Sequence, residues 1–243
     1  MIYQLLNKLG FLVTIMNLII IIDLDDTLYE EKSFVLNGFV NVAFFLKQKF
    51  KLNKNQLYKN MKQTFLKEGR DKVFDKVLSR HNILTKKNLN NCVQVYRYKK
   101  KNIKLRKDAL NFLNSYHKYG IYLVSDGNKK VQQSKIDLLK IKKYFKKIYL
   151  THRYKKIHSK PSTYCFKKIK NIEKCQWNDM VYIGDNILKD FVNLNKLGVN
   201  TIRVLKGNYK YIKKNKIFEA KYKINNLYAL NSILKKIILL KKK

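Results

Sequence analysis

The sequence predicts an α/β protein: a doubly wound parallel sheet with an α-helical bundle inserted after its first strand. Three observations carry this. Leu18-Ile19-Ile20-Ile21-Ile22 is an apolar, β-branched run, the pattern of a strand buried on both faces. From Asp108 onward, short apolar runs alternate with stretches of helical period, as βαβ units do. Between these regions, four successive stretches carry helical period alone.

After Thr27 the period changes from strand to helix. Phe34–Phe50, Leu57–Leu66, Val73–Leu78 and Leu89–Tyr98 have apolar residues at helical spacing, with breaks at Leu52-Asn53, Gly69-Arg70 and His81–Thr85. Asn53 and Thr85 are the residue types that cap helix N-termini. The run Lys99–Lys104 reads as a hinge back to the core. Then follow a helix Asp108–Lys118 closed by Gly120, a strand Ile121–Val124, a helix Val131–Leu139 and a strand Ile148–Leu150. Pro161 suits the first turn of a helix running to Ile172. Met180–Ile183 is a strand ending at Gly184, Ile187–Leu197 a helix ended by Gly198, and Thr201–Leu205 a strand. Leu227–Leu240 is a terminal amphipathic helix. The expected division is a core of residues 16–29 and 99–243 interrupted by a helical bundle at 30–98.

Residues 1–15 read as an extension before a domain that starts at Met16. The apolar stretch Leu9–Ile22, interrupted by Asn17 and ended by Asp23, is too short to span a bilayer and lacks an AxA-type cleavage site. No transmembrane segment is expected; the other reading of the extension is a membrane-surface anchor.

The chain has 243 residues, 46% of them hydrophobic, enough for a substantial core. It carries 54 Lys+Arg against 16 Asp+Glu, a formal charge of +38. Such a charge raises the question of a nucleic-acid partner. Only six of the basic residues are arginine, the type favoured for bidentate base and phosphate contacts, and the lysines are spread along the whole chain. A solvated basic surface in a composition rich in Asn, Ile and Tyr is therefore expected, with no nucleic-acid partner. The field would still draw anionic small molecules to a cleft. Cys92, Cys165 and Cys175 form no CxxC pair and have no histidine at ligand spacing, which points to reduced thiols and a cytoplasmic protein.

The buried strand ends in Asp23-Leu24-Asp25-Asp26-Thr27, three carboxylates within four residues. Two such charges about 4 Å apart repel by about 4 kcal/mol at an effective dielectric of about 20. A hard divalent cation such as Mg²⁺ is the natural counterweight. Three further segments fall just after a core strand or in the loop beyond it: Ser125-Asp126-Gly127-Asn128, Lys160-Pro161-Ser162, and Gly184-Asp185-Asn186 with Asp190. In a parallel sheet all strand carboxyl ends share one edge, so these segments meet in one crevice. Singly, each would pass for a cap or a turn; their order along the chain carries the signal.

The ordered set resembles the haloacid dehalogenase (HAD) superfamily, in particular its phosphatases, over Met16 to about Val204. The resemblance implies a Rossmann-like core and a helical cap between the first and second motifs. It also implies roles. Asp23 would be the nucleophile, forming an aspartyl-phosphate. Asp25 would be the general acid that protonates the leaving oxygen and then the base that activates water. Mg²⁺ would be held by Asp23, the Asp25 backbone carbonyl and Asp185. Ser125 would donate to a phosphoryl oxygen, and backbone N–H groups around Asp126-Gly127 would complete the cradle. Lys160 would supply a point charge to phosphate and nucleophile. Thr27, Asn186 and Asp190 would support these groups. Asp26 is expected only to cap.

An acid two residues after the nucleophile suits a leaving oxygen that needs a proton, so phosphoryl transfer is favoured over dehalogenation. The second motif departs from the family in having Ser125 for threonine and Asp126 before Gly127. Stretches Tyr29–Phe39 and Asp185–Phe191 look like phosphatase-like members associated with surface-polysaccharide synthesis, which suggests a phosphorylated sugar. The expectation is a Mg²⁺-dependent phosphatase acting on a small phosphorylated metabolite. The alternatives are a phosphomutase on the same scaffold and a basic nucleic-acid-binding protein with an inactive enzyme fold.

Overall fold

The computed structural model describes residues 18–241; the expected N-terminal extension and the domain start at Met16 lie outside the described residues. Ile19–Ile22 form β1, and Ile20, Ile21 and Ile22 have almost no exposed surface. With β-branched side chains on both faces, this strand has no polar side to give to water and belongs in mid-sheet. It pairs in parallel with β2 (Tyr122–Ser125) on one side and β4 (Met180–Gly184) on the other. With β3 (Lys147–Leu150), β5 (Asn200–Val204) and β6 (Tyr222–Ile224), the sheet has six parallel strands in the order β3-β2-β1-β4-β5-β6. The order reverses between β1 and β4, which opens a crevice at their carboxyl ends. Ile22 lies level with both Leu123 and Ile183, so Asp23, Ser125 and Asp185 leave the sheet at one edge. The outer strands β3 and β6 carry the exposed Lys147 and Lys223.

The described chain divides into two units, Glu31–Ile103 and the remainder. The first unit is helical: α1 (Glu31–Phe50), α2 (Lys54–Glu68), α3 (Val73–Arg80) and α4 (Lys86–Tyr98). Asn53 caps α2 by accepting from the backbone N–H groups of Asn55 and Gln56, and Thr85 caps α4 by accepting from Asn88. Val35, Phe39, Val42, Leu46, Leu57, Met61 and Val77 form its core. Gly38 sits where a Cβ would lie 2.4 Å from the Tyr96 ring, so α1 and α4 touch through a bare backbone.

Five more helices flank the sheet, making nine among the described residues: α5 (Lys107–Tyr116), α6 (Lys129–Leu138), α7 (Tyr164–Glu173), α8 (Val192–Lys196) and α9 (Leu230–Lys241). Ile21, Tyr122, Val124, Tyr149 and Tyr182 pack with Phe166 and Ile169 of α7 and Leu194 of α8. The Asp108 carboxylate at the start of α5 accepts from the Leu227 N–H at 2.9 Å, and the Tyr116 hydroxyl donates to Asn231, tying α5 to the approach and first turn of α9.

Two expected helices need correction, and one strand is added. Pro161 does not open a helix: it lies in a turn closed by Ser162 N–H to the Ser159 carbonyl, and α7 starts at Tyr164. The helix expected at Ile187–Leu197 shrinks to α8, because Asn186 and Asp190 side chains take the nearby N–H groups and hold residues 186–190 in a turn. The sequence gives no sign of strand β6, since three residues, one of them a lysine, are too few to display a period.

Candidate active site

Asp23 follows β1 and continues its ladder, its N–H donating to the Ile183 carbonyl at 2.9 Å. Its carboxylate therefore sits at the switch point. Lys160 reaches it from the turn before α7, with Nζ 3.1 Å from Asp23 Oδ1 and 2.8 Å from Asp190 Oδ1. Lys160 also donates to the Tyr182 hydroxyl at 2.8 Å, and that hydroxyl lies 3.3 Å from Asp190 Oδ1. The other Asp190 oxygen accepts the Asn186 N–H at 2.9 Å. Gly184 makes room for this carboxylate: a Cβ there would fall 2.4 Å from Asp190 Oδ2.

Asp23, Asp185 and Asp190 are all buried, and one carboxylate oxygen from each lies within 4.8 Å of the others. Lys160 faces Asp23 and Asp190, while Asp185 Oδ2 is buried with no hydrogen-bond partner among the described residues. Burial, opposed by Lys160, pushes Asp23 up to about 7. Burial and the carboxylates of Asp190, Asp23 and Asp26 push Asp185 well above the usual carboxylate range. Lys160 stays firmly charged: burial opposes its charge, but Asp190 and Asp23 outweigh it. Two destabilised carboxylates, one with an orphaned oxygen, are a donor set that fits a hard divalent cation. Asp190, with both oxygens engaged, serves as a support for Lys160 and the Asn186 turn.

The Asp25 carboxylate is not part of this group. It accepts from Lys135 Nζ at 2.6 Å, from Gln132 Nε2 at 2.8 Å and from the Tyr29 hydroxyl. Burial raises its pKa, but the Lys135 charge and these hydrogen bonds more than reverse that, so it is held below the ordinary range. Gln132 also donates to Ser125 Oγ at 2.7 Å.

Asp126, expected at the phosphate cradle, has its carboxylate committed elsewhere. It accepts from Thr151 Oγ1 at 2.8 Å and the Lys160 N–H at 3.1 Å, and pairs with Lys189 Nζ at 2.8 Å. It thereby anchors the turn that delivers Lys160. Gly127, at φ +119°, needs its missing side chain to turn the chain into α6. Asn128 then caps α6 by accepting from Lys130 and Val131. Thr27 is fully buried with its hydroxyl unpartnered among the described residues, and Asn186 bonds within its own turn, to the Leu188 N–H. Asp26 adopts a left-handed backbone, φ 51°, and packs against Gly207 rather than opening a helix.

The residues that sequence reasoning missed are Tyr29, Gln132, Lys135, Tyr182 and Lys189. Gln132 and Lys135 are three apart on α6, a same-face spacing, but that spacing gains meaning only once Asn128 is known to start the helix.

Clustered aspartates and a buried lysine thus sit at the switch point, where a Rossmann-like α/β fold binds its ligands. The chain belongs to the haloacid dehalogenase-like hydrolases, whose family pattern matches residues 20–204. Among curated proteins none matches. Solved structures share the fold. YfnB from Bacillus subtilis, a magnesium-bound protein assigned to the HAD hydrolases, has TM-score 0.66 and 17% identity over 89% of this chain and 98% of its own. A Haemophilus somnus protein predicted to be a phosphoglycolate phosphatase has TM-score 0.63 and 16% identity over 89% and 98%. The 2-haloacid dehalogenase of Pseudomonas syringae has TM-score 0.62 and 15% identity over 90% and 98%. Similar structures thus include both phosphatases and dehalogenases. No helix among the described residues is long and apolar enough to cross a membrane.

Proposed function

We propose that this chain is a Mg²⁺-dependent phosphatase that hydrolyses a small phosphorylated metabolite, with a sugar phosphate as the favoured class. The observation that carries the reading is the pair Asp23 and Asp25: one carboxylate beside a buried lysine, the other two residues on and held apart by its own donors. A halide leaves without a proton, whereas an alkoxide needs one, so the second carboxylate fits phosphoryl transfer.

Asp23, Asp185 and the Asp25 backbone carbonyl would hold the cation. When bound, it would keep both carboxylates ionised and offset their repulsion of the phosphoryl oxygens. Lys160 neutralises charge on the nucleophile side and Ser125 donates to a phosphoryl oxygen. An Asp23 oxygen attacks phosphorus, the bond to the leaving oxygen breaks, and that oxygen takes a proton from Asp25, which must first have been protonated against the pull of Lys135. Water then attacks the aspartyl-phosphate, Asp25 takes the proton, and Asp23 and inorganic phosphate are released. The three cysteines are unpaired, which suits a cytoplasmic protein.

The test is phosphate release from p-nitrophenyl phosphate and a panel of sugar phosphates with Mg²⁺. Asp23→Asn is expected to lose about 10³-fold or more, and chelation of the metal to abolish turnover. Equal activity of Asp23→Asn and the parent protein would overturn the mechanism.

A further inference from the structure

We infer that Gln132 and Lys135 are positioning residues: from one face of α6 they fix the acid–base carboxylate of Asp25 and aim the Ser125 hydroxyl at the phosphoryl group. The inference rests on the phosphatase reading and deepens it.

The geometry is specific. The Lys135 side chain is 4% exposed; its ammonium lies 2.6 Å from the Asp25 carboxylate and 5.9 Å from the centre of the Tyr29 ring, whose hydroxyl donates to the same carboxylate. Burying an ammonium and a carboxylate together seldom adds stability over apolar residues of the same volume. Gln132 bridges two groups from a single nitrogen, with 2.8 Å to Asp25 Oδ2 and 2.7 Å to Ser125 Oγ. A carboxylate can only accept, so the NH₂ end of the amide must face it, and both amide hydrogens are used. Ser125 is therefore an acceptor from Gln132, which leaves its own hydrogen for another oxygen.

Local sequence explains how the two residues arrive. Gly127 turns the chain, Asn128 caps α6, and the next turns bring Gln132 and Lys135 back over β2's carboxyl end. The bare Gly127 Cα also backs onto the Gln132 amide, where a Cβ would sit 3.5 Å away.

The experiment compares Lys135→Met and Gln132→Leu with the parent protein, after thermal unfolding has established that each variant is folded. Turnover is measured on p-nitrophenyl phosphate, whose leaving group needs no proton, and on an alkyl phosphate, whose leaving group does. Lys135→Met is expected to lose about tenfold more on the alkyl ester than on the aryl ester. The extra loss should vanish in an Asp25→Asn background, because the residue it positions is gone. Gln132→Leu should weaken inhibition by inorganic phosphate in the way Ser125→Ala does. Equal losses on both esters, or an undiminished loss in the Asp25→Asn background, overturn the positioning role of Lys135. Unchanged phosphate inhibition overturns that of Gln132. A parent protein that releases no phosphate, or an active Asp23→Asn, sinks the phosphatase reading itself and takes this inference with it.

Discussion

A buried ammonium at Lys160 survives because Asp23 and Asp190 face it and the Tyr182 hydroxyl accepts from it. Removing one anion from such a pair leaves charge uncompensated. Asp190→Asn is therefore expected to lower stability by about 3 kcal/mol in denaturant unfolding and, by loosening Lys160, to cost about 10²-fold in turnover. At this scale the sequence was legible where chemistry demands a residue type. Asp23, Asp185 and Lys160 converge as their positions after core strands require. It was not legible where a common residue does uncommon work. Lys135 and Lys101 look like any of the surrounding lysines, yet Lys135 is buried on Asp25 and Lys101 lies 4.3 Å from the centre of the Phe34 ring.

Elements were legible where local signals and tertiary packing agree. The caps at Asn53 and Thr85 and the β-branched run of β1 are of this kind. They were misread where side chains of the site compete with the backbone, as at residues 186–190, or where a turn serves to place Lys160. The caps also yield a measurable cost. Thr85 Oγ1 accepts the Asn88 N–H at 3.1 Å. Thr85→Ala should destabilise the helical unit by about 1 kcal/mol, read from its urea midpoint, with Thr85→Ser recovering most of the loss.

For the molecule as a whole, Asp108 is a long-range tie. It is 6% exposed and accepts from the N–H groups of Leu227 and Ala109 and from Arg106. Burial works against its charge, but these donors prevail and hold its pKa below the ordinary 3.8. A folded-state value below the unfolded one contributes stability that is complete above pH 3.8 and is lost as pH falls through the folded value. Asp108→Ala should thus be about 1–3 kcal/mol less stable than the parent protein at pH 7, a gap that narrows below pH 3.8 in denaturant titrations. The parallel sheet itself was readable from alternating periods, but its sixth strand was hidden by brevity and lysines. The lysines of the two edge strands have a use. A sheet edge is a template onto which another chain can zip, and Lys147 and Lys223 place a charge on each of the two outermost strands. An incoming copy would have to strip water from both, against a molecule carrying +38. Fibril-like stacking is thereby discouraged at the two places where this architecture is most open to it.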